Sequence, residues 1–299
     1  MVSGSRRYRV RHVTRYTYDE VLEACYNRGL LQPREAPGQQ VISSEVSATP
    51  ASEFVATHQD YFGNESVYLE CRTPTMELVV SATSVVQVDR QPPDIAGLDA
   101  WTVASAAERV AALADPVELT EFTLPSPLVA IGPAVREYAA AVLQPGRPFG
   151  EAVSALVHQI FGDFTYRQGT TSVRTTLAEL LEKRQGVCQD FAHLAVGCLR
   201  AVGLPARYVS GYLETAPPPG RAKLQGADAT HAWASVLTPS GEWLDLDPTN
   251  DHFTDSRYIV TAWGRDFSDV SPLRGVVFTE AGTSTLTVEV DVDPLPLVP

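Results

Sequence analysis

The chain is short of basic residues and has no long apolar run, and each shortage excludes a class of protein. Lysine and arginine number 23 against 36 aspartates and glutamates, which leaves a formal net charge of −13. Such a field repels a phosphate backbone, so nucleic acid is not expected as a partner. No run of about 18 apolar residues occurs, so no membrane span is expected.

Cysteine is also scarce. Four cysteines are present at irregular spacing, and no CxxC or HxxxH pattern occurs, so we predict no structural metal site and no cofactor. The start, MVSGSRRYRVRH, is charged without a following apolar segment, and no secretory signal is expected. The predicted compartment is the reducing cytoplasm, where cysteines are free thiols. Cys25 and Cys71 are therefore predicted to fill strands rather than to form a bridge.

The first third of the chain has the alternation of β-strands. Apolar and polar residues alternate over residues 8–18 and 76–88, and Gly63-Asn64 lies between two strand-like runs as in a hairpin. Residues 1–90 are therefore predicted to form an antiparallel β domain. The stretch QPPDIAG, residues 91–97, marks a composition shift and the predicted boundary to a second domain over residues 91–299.

The second segment begins with helical patterns and continues with strands. Helices are predicted over 105–116, 133–146, 151–161 and 175–186 and after Gly186, and strands over 206–213, 231–237, 242–247 and 284–290. Helices followed by an antiparallel sheet predict an α+β fold. The Pro/Gly-rich loop 215–229 is either a substrate lid or an inert excursion.

Two cysteines lie in the stretch GVCQDFAHLAVGCLRAVGL, which starts at Gly186. Cys198 falls within the apolar stripe of the predicted helix and is expected to pack in the core. Cys188 precedes that stripe, at the helix N-terminus, where the free N–H groups favour a thiolate and can hold an oxyanion. A structural cysteine is the alternative for an isolated case.

A reactive cysteine needs a base and a group that orients this base. Alternation places His231 and Trp233 on one face of a predicted strand and Asp245 and Asp247 on one face of the next. The turn Pro239-Ser240-Gly241 would join the two strands as a hairpin. We predict that this hairpin brings His231 close to Asp247.

Three blocks together resemble the transglutaminase-like superfamily of cysteine acyl-transfer enzymes. They are GVCQDFAHLAVGCLRAVGLPARYVSGYL, DATHAWASV and WLDLDPTN. Residues 8–88 resemble the β region that precedes this core in bacterial members, notably in RYRVRHVTRYTYDE, LQPRE and DYFGNESVY. The resemblance implies a papain-like transglutaminase core, over about 150–250, with helices packed on an antiparallel sheet. It also implies Cys188 as nucleophile, His231 as base and Asp247 as orienting residue.

Further residues are assigned to the surroundings of this site. Tyr166 is a candidate second oxyanion donor, with a core tyrosine as the alternative. Gln189 and Trp233 are candidate pocket residues, although Gln189, like Asp190, also fits a first-turn residue favoured by the helix dipole. Trp243 is expected to wall the site together with Trp233, with plain β packing as the alternative. His193 is expected to be structural.

The resemblance implies an enzyme that forms a thioester at Cys188. It would hydrolyse amides or transfer the acyl group to an amine, with a protein or peptide that carries glutamine or another amide as substrate. The alternative is a scaffold protein without turnover. A metal site built from Cys188, His193, His231 and Asp247 is disfavoured by its spacing. The sequence does not indicate the oligomeric state.

Overall fold

The computed structural model describes residues 4–113, 116–215 and 230–297. Within these residues, no helix is both long and apolar enough to cross a membrane. The predicted lid loop 215–229 lies, apart from its first residue, outside the described residues. The predicted order of strands, then helices, then strands is observed, and the structure adds short strands and a helix after residue 250 that the sequence analysis did not predict.

The strands of the first and last parts of the chain are β1 Arg6–Gly29, β2 Gln39–Thr49, β3 Phe54–Gln59, β4 Glu65–Cys71, β5 Thr75–Val88, β13 Leu273–Thr279 and β14 Ser284–Leu295. The other strands are β6 Thr165–Tyr166, β7 Gln185–Gly186, β8 Ala206–Leu213, β9 Thr230–Leu237, β10 Trp243–Asp247, β11 His252–Phe253 and β12 Tyr258–Gly264. The helices are α1 Ile95–Leu98, α2 Val103–Ala111, α3 Pro116–Thr123, α4 Pro133–Ala140, α5 Phe149–Asp163, α6 Leu177–Lys183, α7 Cys188–Ala201 and α8 Phe267–Val270.

The amino-terminal sheet is built around β1. Its strand order is β2-β5-β1-β4-β3, with all neighbours antiparallel. Tyr8 and Val10 are buried and Arg9 is exposed, as the alternation predicts. The predicted hairpin is confirmed, because β3 pairs with β4 and Gly63 adopts a positive φ of 72° between them.

The end of the chain returns to this same sheet. Both β13 and β14 pair with β1, and Val10 lies opposite Val292. The strand over 284–290 is therefore confirmed, whereas its partner was not apparent from the sequence. Residues that we assigned to the second segment thus complete the sheet of the first one.

The second sheet has the order β11-β10-β9-β8-β12, and α7 packs on one of its faces. Ala234 and Val236 of β9 share a buried cluster with Leu194 and Cys198 of α7. Alternation then places Trp233 on the opposite face, in a cluster with Val209 and Tyr258. The α+β class is confirmed, and α7 lies across the strand that carries His231.

Several helix ends differ from the predictions. Helix α2 ends at Ala111, and Pro116 begins α3 instead of closing α2, because proline is well accommodated at the first helical position. Helix α4 already ends at Ala140. Helix α6 has Thr176 as its N-cap, as predicted, but its C-cap is Arg184, in the left-handed conformation with φ 53°.

Side-chain amides of the amino-terminal region bind the outer edge of β12. The Gln39 amide donates to Val260 O at 2.8 Å and accepts from Val260 N at 2.8 Å. Asn64 makes the same two bonds with the backbone of Trp263, each at 2.9 Å. These amides satisfy backbone groups that an edge strand leaves unpaired, so they fix the first sheet to the second.

Candidate active site

Cys188 is the first residue of α7 and is half-buried. Its side chain packs against a cluster that includes Ala192, Tyr208 and Ala232. The first N–H groups of a helix have no partner within the helix. Val187 N is satisfied by the Asp190 carboxylate at 2.8 Å, which leaves the N–H groups of Cys188 and Gln189 as donors beside the sulfur.

The Asp190 carboxylate holds the turn that enters α7. Its Oδ2 accepts from Val187 N and, at 2.7 Å, from Thr171 Oγ1. Burial raises the pKa of Asp190, while the bonds from Val187 and Thr171 oppose that rise. The expectation that Asp190 is a first-turn residue is confirmed, and its role is to cap the helix. Gly186 leaves room for this carboxylate, because a Cβ there would lie 2.8 Å from Asp190 Oδ2.

Gly186→Ala is expected to lower the free energy of unfolding by about 1–3 kcal/mol, the usual cost of overpacking a buried site. The new methyl group would collide with Asp190 Oδ2 and, at 2.9 Å, with Leu180 Cδ1. Urea unfolding measures the change. Gly162→Ala in α5 is the matched control, because nothing lies within 4 Å of its Cβ and alanine favours a helix. Equal stability of both variants would contradict the predicted collision.

His231 and Asp247 meet as the hairpin predicts. In the β9–β10 register Leu246 lies opposite Ala234, so Asp247 follows on the face that carries Trp233 and His231. His231 Nε2 lies 2.7 Å from Asp247 Oδ2. The carboxylate side chain is fully buried, and the imidazole is 10% exposed. The sequence-based prediction that these two side chains meet is confirmed.

The pair is held in its charged form. Burial alone would lower the pKa of His231, but the charge and hydrogen bond of Asp247 and the hydrogen bond of Cys188 raise it to about 10. Burial would raise the pKa of Asp247, yet His231, Tyr258 and Asn250 lower it to about 2. At neutral pH the imidazolium therefore donates Nε2–H to the carboxylate.

Cys188 acts on the same imidazole, because its side chain contributes to the raised pKa of His231. Because Nε2 is bound to Asp247, Nδ1 is the ring nitrogen that remains for the sulfur. Sulfur, imidazole and carboxylate are thus neighbours in this order, and a hydrogen bond joins the imidazole to the carboxylate. The geometry can transfer a proton between the thiol and the ring while the carboxylate fixes the orientation of the ring.

Three further groups hold Asp247, and the sequence analysis did not assign any of them. Tyr258 OH donates to Asp247 Oδ2 at 2.6 Å, Asn250 Nδ2 donates to the same oxygen at 2.7 Å, and Thr249 N donates to Oδ1 at 2.8 Å. Thr249 and Asn250 follow Asp247 in the stretch DPTN, so an Asp-Pro turn could have indicated them. Tyr258 comes from β12, and no local pattern indicates it.

Of the other predicted pocket residues, Tyr166 and Gln189 lie near the sulfur. Tyr166 is 49% exposed, its ring packs against Phe191, and burial together with the nearby Cys188 raises the pKa of its hydroxyl. Gln189 is half-buried on the first turn of α7. Their roles in an oxyanion or substrate pocket stay predictions.

The two tryptophans do not line an open pocket. Trp233 is fully buried, with its ring centroid 6.1 Å from that of His231 and 5.3 Å from that of Tyr258. The prediction that Trp233 is a pocket residue is wrong and its alternative, plain β packing, holds, because the buried ring packs behind the imidazole. Trp243 lies at the opposite end of β10 from Asp247 and stacks on Arg207, so its assignment to the site is also wrong.

The remaining cysteines and His193 are buried. Cys25, Cys71 and Cys198 are free thiols inside the fold, and Cys25 lies directly opposite Cys71 on neighbouring strands. His193 Nε2 accepts from Phe267 N at 3.1 Å, and burial lowers its pKa to about 4, which confirms a structural role. In the described part of the chain, no three His, Cys, Asp or Glu side chains form a potential metal site.

Comparison with known families agrees with the fold and this arrangement. Residues 8–87 match the sequence profile described as "Bacterial transglutaminase-like N-terminal region". Residues 136–248 match that of the "Transglutaminase-like superfamily". The second range includes Cys188, His231 and Asp247. The chain belongs to the transglutaminase-like superfamily.

Individual relatives cover either the whole chain or part of the core. An uncharacterized protein of Mycobacterium tuberculosis (strain ATCC 25618 / H37Rv) is 46% identical, over 98% of this chain and 94% of its own. A protein-glutamine gamma-glutamyltransferase of Pseudomonas aeruginosa is 38% identical over 71 residues, 23% of this chain and 11% of its own. A solved structure from Cytophaga hutchinsonii, described as a candidate cysteine protease, shares the fold with a TM-score of 0.78 and 21% identity, over 99% of this chain and 93% of its own.

Proposed function

We propose that this protein is a cysteine-dependent enzyme that cleaves amide or peptide carbonyls through a thioester and passes the acyl group to water or an amine. The observation that carries the proposal is the series from Cys188 through His231 to the buried Asp247. A thiol, an imidazole and a carboxylate in this order are what nucleophilic catalysis by cysteine requires.

In the first step the imidazolium of His231 already holds the proton of Cys188, and the Cys188 Sγ thiolate attacks the carbonyl carbon of the amide. The negative charge moves to the carbonyl oxygen, which becomes the oxyanion. The N–H groups of Cys188 and Gln189 at the start of α7 are donors for this oxygen. Tyr166 OH is a candidate side-chain donor beside these N–H groups, since the phenol stays protonated at neutral pH and lies close to the thiol.

The oxyanion intermediate then collapses. The C–N bond breaks, the imidazolium of His231 gives its proton to the leaving amine or ammonia, and a thioester remains on Cys188. Water or an amine attacks this thioester, His231 takes the proton of the attacking group, and the thiolate leaves. The Asp247 carboxylate holds the ring through both steps and stabilises its charged form.

One protein that matches part of this chain supports the proposed substrate. The Pseudomonas aeruginosa protein that matches 23% of this chain is a protein-glutamine gamma-glutamyltransferase. This name favours the side-chain amide of glutamine in a protein or peptide as acyl donor. Ammonia would then be the first product, and water or a primary amine the second substrate.

The test is turnover of a blocked glutaminyl-glycine dipeptide with and without hydroxylamine. Ammonia release in both reactions is expected, with hydroxamate formed only if an amine enters the site. Mass spectrometry of the quenched protein should show the acyl group on Cys188.

Cys188→Ala is expected to abolish ammonia release, whereas Cys71→Ala, which removes a buried thiol far along the chain, should retain it. Ammonia release that survives Cys188→Ala would refute the proposed nucleophile. A full panel of amides without turnover, despite an intact thiol–imidazole pair, would instead favour the scaffold alternative.

A further inference from the structure

A second group of buried charges lies on the same face of the second sheet as Trp233. Arg207, Ser235 and Asp245 face one another across β8, β9 and β10 in one row. Arg90, from the segment that links the two regions, forms an ion pair with Asp245 at 2.8 Å. Asp245 of this row lies two residues before Asp247 on β10. Among the described residues, no side-chain hydrogen bond joins the row to His231 or Asp247.

Arg207 is only 6% exposed, and both faces of its guanidinium are covered by indole rings. Its Cζ lies 4.2 Å from the ring centroid of Trp243 and 3.8 Å from that of Trp263. Stacking of this kind stabilises the charge through the faces of the guanidinium. The N–H groups point outward in the guanidinium plane, so stacking leaves them available to an acceptor at the edge.

Several donors in and beside this row are unpartnered. Among the described residues, Arg207 makes no hydrogen bond or ion pair, and its Nε is fully buried. Arg90 Nε and Nη2, Trp233 Nε1 and Ser235 Oγ are likewise buried without a partner, and Asp245 Oδ1 is the unpartnered acceptor beside them. Buried donors of this number are normally satisfied, so the cluster offers several donors to an acceptor that is not part of the protein.

The charges of the row also do not balance. Arg90 and Arg207 carry two positive charges, and Asp245 supplies one negative charge. A third cation, Arg34, stacks on the other face of Trp263. Its guanidinium is bound by Asn64 and by the carbonyl of Phe62. The carboxylates of Asp60 and Glu65 support its charge. One positive charge therefore remains uncompensated in a site of low dielectric constant, where this is costly.

We propose that the Arg90–Arg207–Ser235 cluster binds a small monovalent inorganic anion, a halide such as chloride. The anion accepts from the guanidinium edges of Arg207 and Arg90 and from the Ser235 hydroxyl, and it neutralises the remaining charge. A small ion is the choice because Arg207 and Asp245 are nearly buried, so that little surface is open to a larger ligand. The bound anion would join β8 to the linker segment that carries Arg90, and so stabilise the contact between the two regions.

The test compares thermal unfolding of the full chain in about 0.2 M sodium chloride, sodium acetate and sodium gluconate at equal ionic strength. Binding to the folded state predicts a Tm about 2–4 °C higher in chloride than in gluconate. Arg207→Met keeps an unbranched chain between the two indoles and should abolish this difference. Arg15→Met removes an exposed arginine paired with Glu77 and should leave it unchanged.

Asp245→Asn provides a test that does not depend on the folding of Arg207→Met. It removes the carboxylate that competes with the anion, so the difference between chloride and gluconate should increase. A crystal soaked in bromide should show anomalous density within hydrogen-bond reach of Arg207. Equal Tm values in chloride and gluconate for both the natural chain and Asp245→Asn would overturn the proposal. Greater stabilisation by acetate than by chloride would contradict the choice of a halide.

Discussion

His231→Ala is expected to lower kcat/KM for amide turnover about 10⁴-fold. The variant removes the group that takes the proton from Cys188 and returns it to the leaving amine, and general acid–base catalysis contributes up to about this factor. It also removes the cation that stabilises the thiolate. The measurement is initial-rate kinetics of ammonia release from the glutaminyl dipeptide at several pH values.

His158→Ala is the matched control for this variant. His158 is exposed, pairs with Asp251 and lies on α5, away from the thiol. Its replacement should leave kcat/KM within about twofold, because exposed ion pairs contribute little. Comparable losses in the two variants would show that the assay reports a general defect and not the chemistry of the imidazole.

Asp247→Asn is expected to lower kcat/KM about 10³-fold. The amide has nearly the size of the carboxylate, but it has no charge to hold the imidazolium of His231. Burial, the largest influence on the pKa of His231, then acts against the hydrogen bond of Cys188 alone, so that pKa falls. The ring becomes neutral at a lower pH than in the natural chain, and the thiolate loses its counter-ion. Kinetics as a function of pH should show the loss increase from weakly acidic to neutral pH.

The same variant is expected to lose about 3 kcal/mol of folding free energy, because a buried charge loses its partner. The pKa of His231 rises from 6.5 to about 10 on folding, so its contribution is complete below about pH 6.5 and is lost as the pH rises through 10. The pKa of Asp247 falls from 3.8 to about 2, so its contribution is complete above about pH 4 and is lost as the pH falls through 2. The difference from the natural chain, measured by urea unfolding, should therefore be largest between about pH 4 and 6.5.

Asp245→Asn is the matched control for both effects. Asp245 lies two residues earlier on the same face of β10, is nearly buried, and also has a cationic partner, Arg90. Its replacement should cost stability, while turnover of the folded variant should be retained because Asp245 does not bond to His231. A loss of turnover equal to that of Asp247→Asn would contradict the role assigned to Asp247.

The sequence predicted the elements that local patterns encode. Alternation indicated β1, β5 and β9, and the turn Pro239-Ser240-Gly241 placed His231 near Asp247. Helix α7 could be placed because Cys198 and its apolar neighbours repeat at three and four residues. These patterns involve residues close together in the chain, and for that reason they can be recognised from the sequence alone.

Contacts between distant segments were not predicted. Tyr258 binds Asp247 from a strand whose neighbour in the sheet is β8, and no spacing in the sequence reports that pairing. The pairing of β13 and β14 with β1 was not predicted either, since alternation indicates a strand but not its partner. Trp233 was assigned to the pocket because it shares a face with His231, but its ring is buried on that face against Val209, Tyr258 and Val260.

The most direct test of the account is the rate at which iodoacetamide alkylates Cys188 between pH 6 and 9. Burial alone protects the other three thiols, so selectivity for Cys188 is not sufficient, and the comparison must be made with His231→Ala. If the imidazolium holds the thiolate, alkylation of the natural chain is fast and nearly independent of pH, whereas His231→Ala is slow at pH 6 and accelerates about tenfold per pH unit. The same steep pH dependence in both chains would show that sulfur 188 and imidazole 231 do not act as a pair.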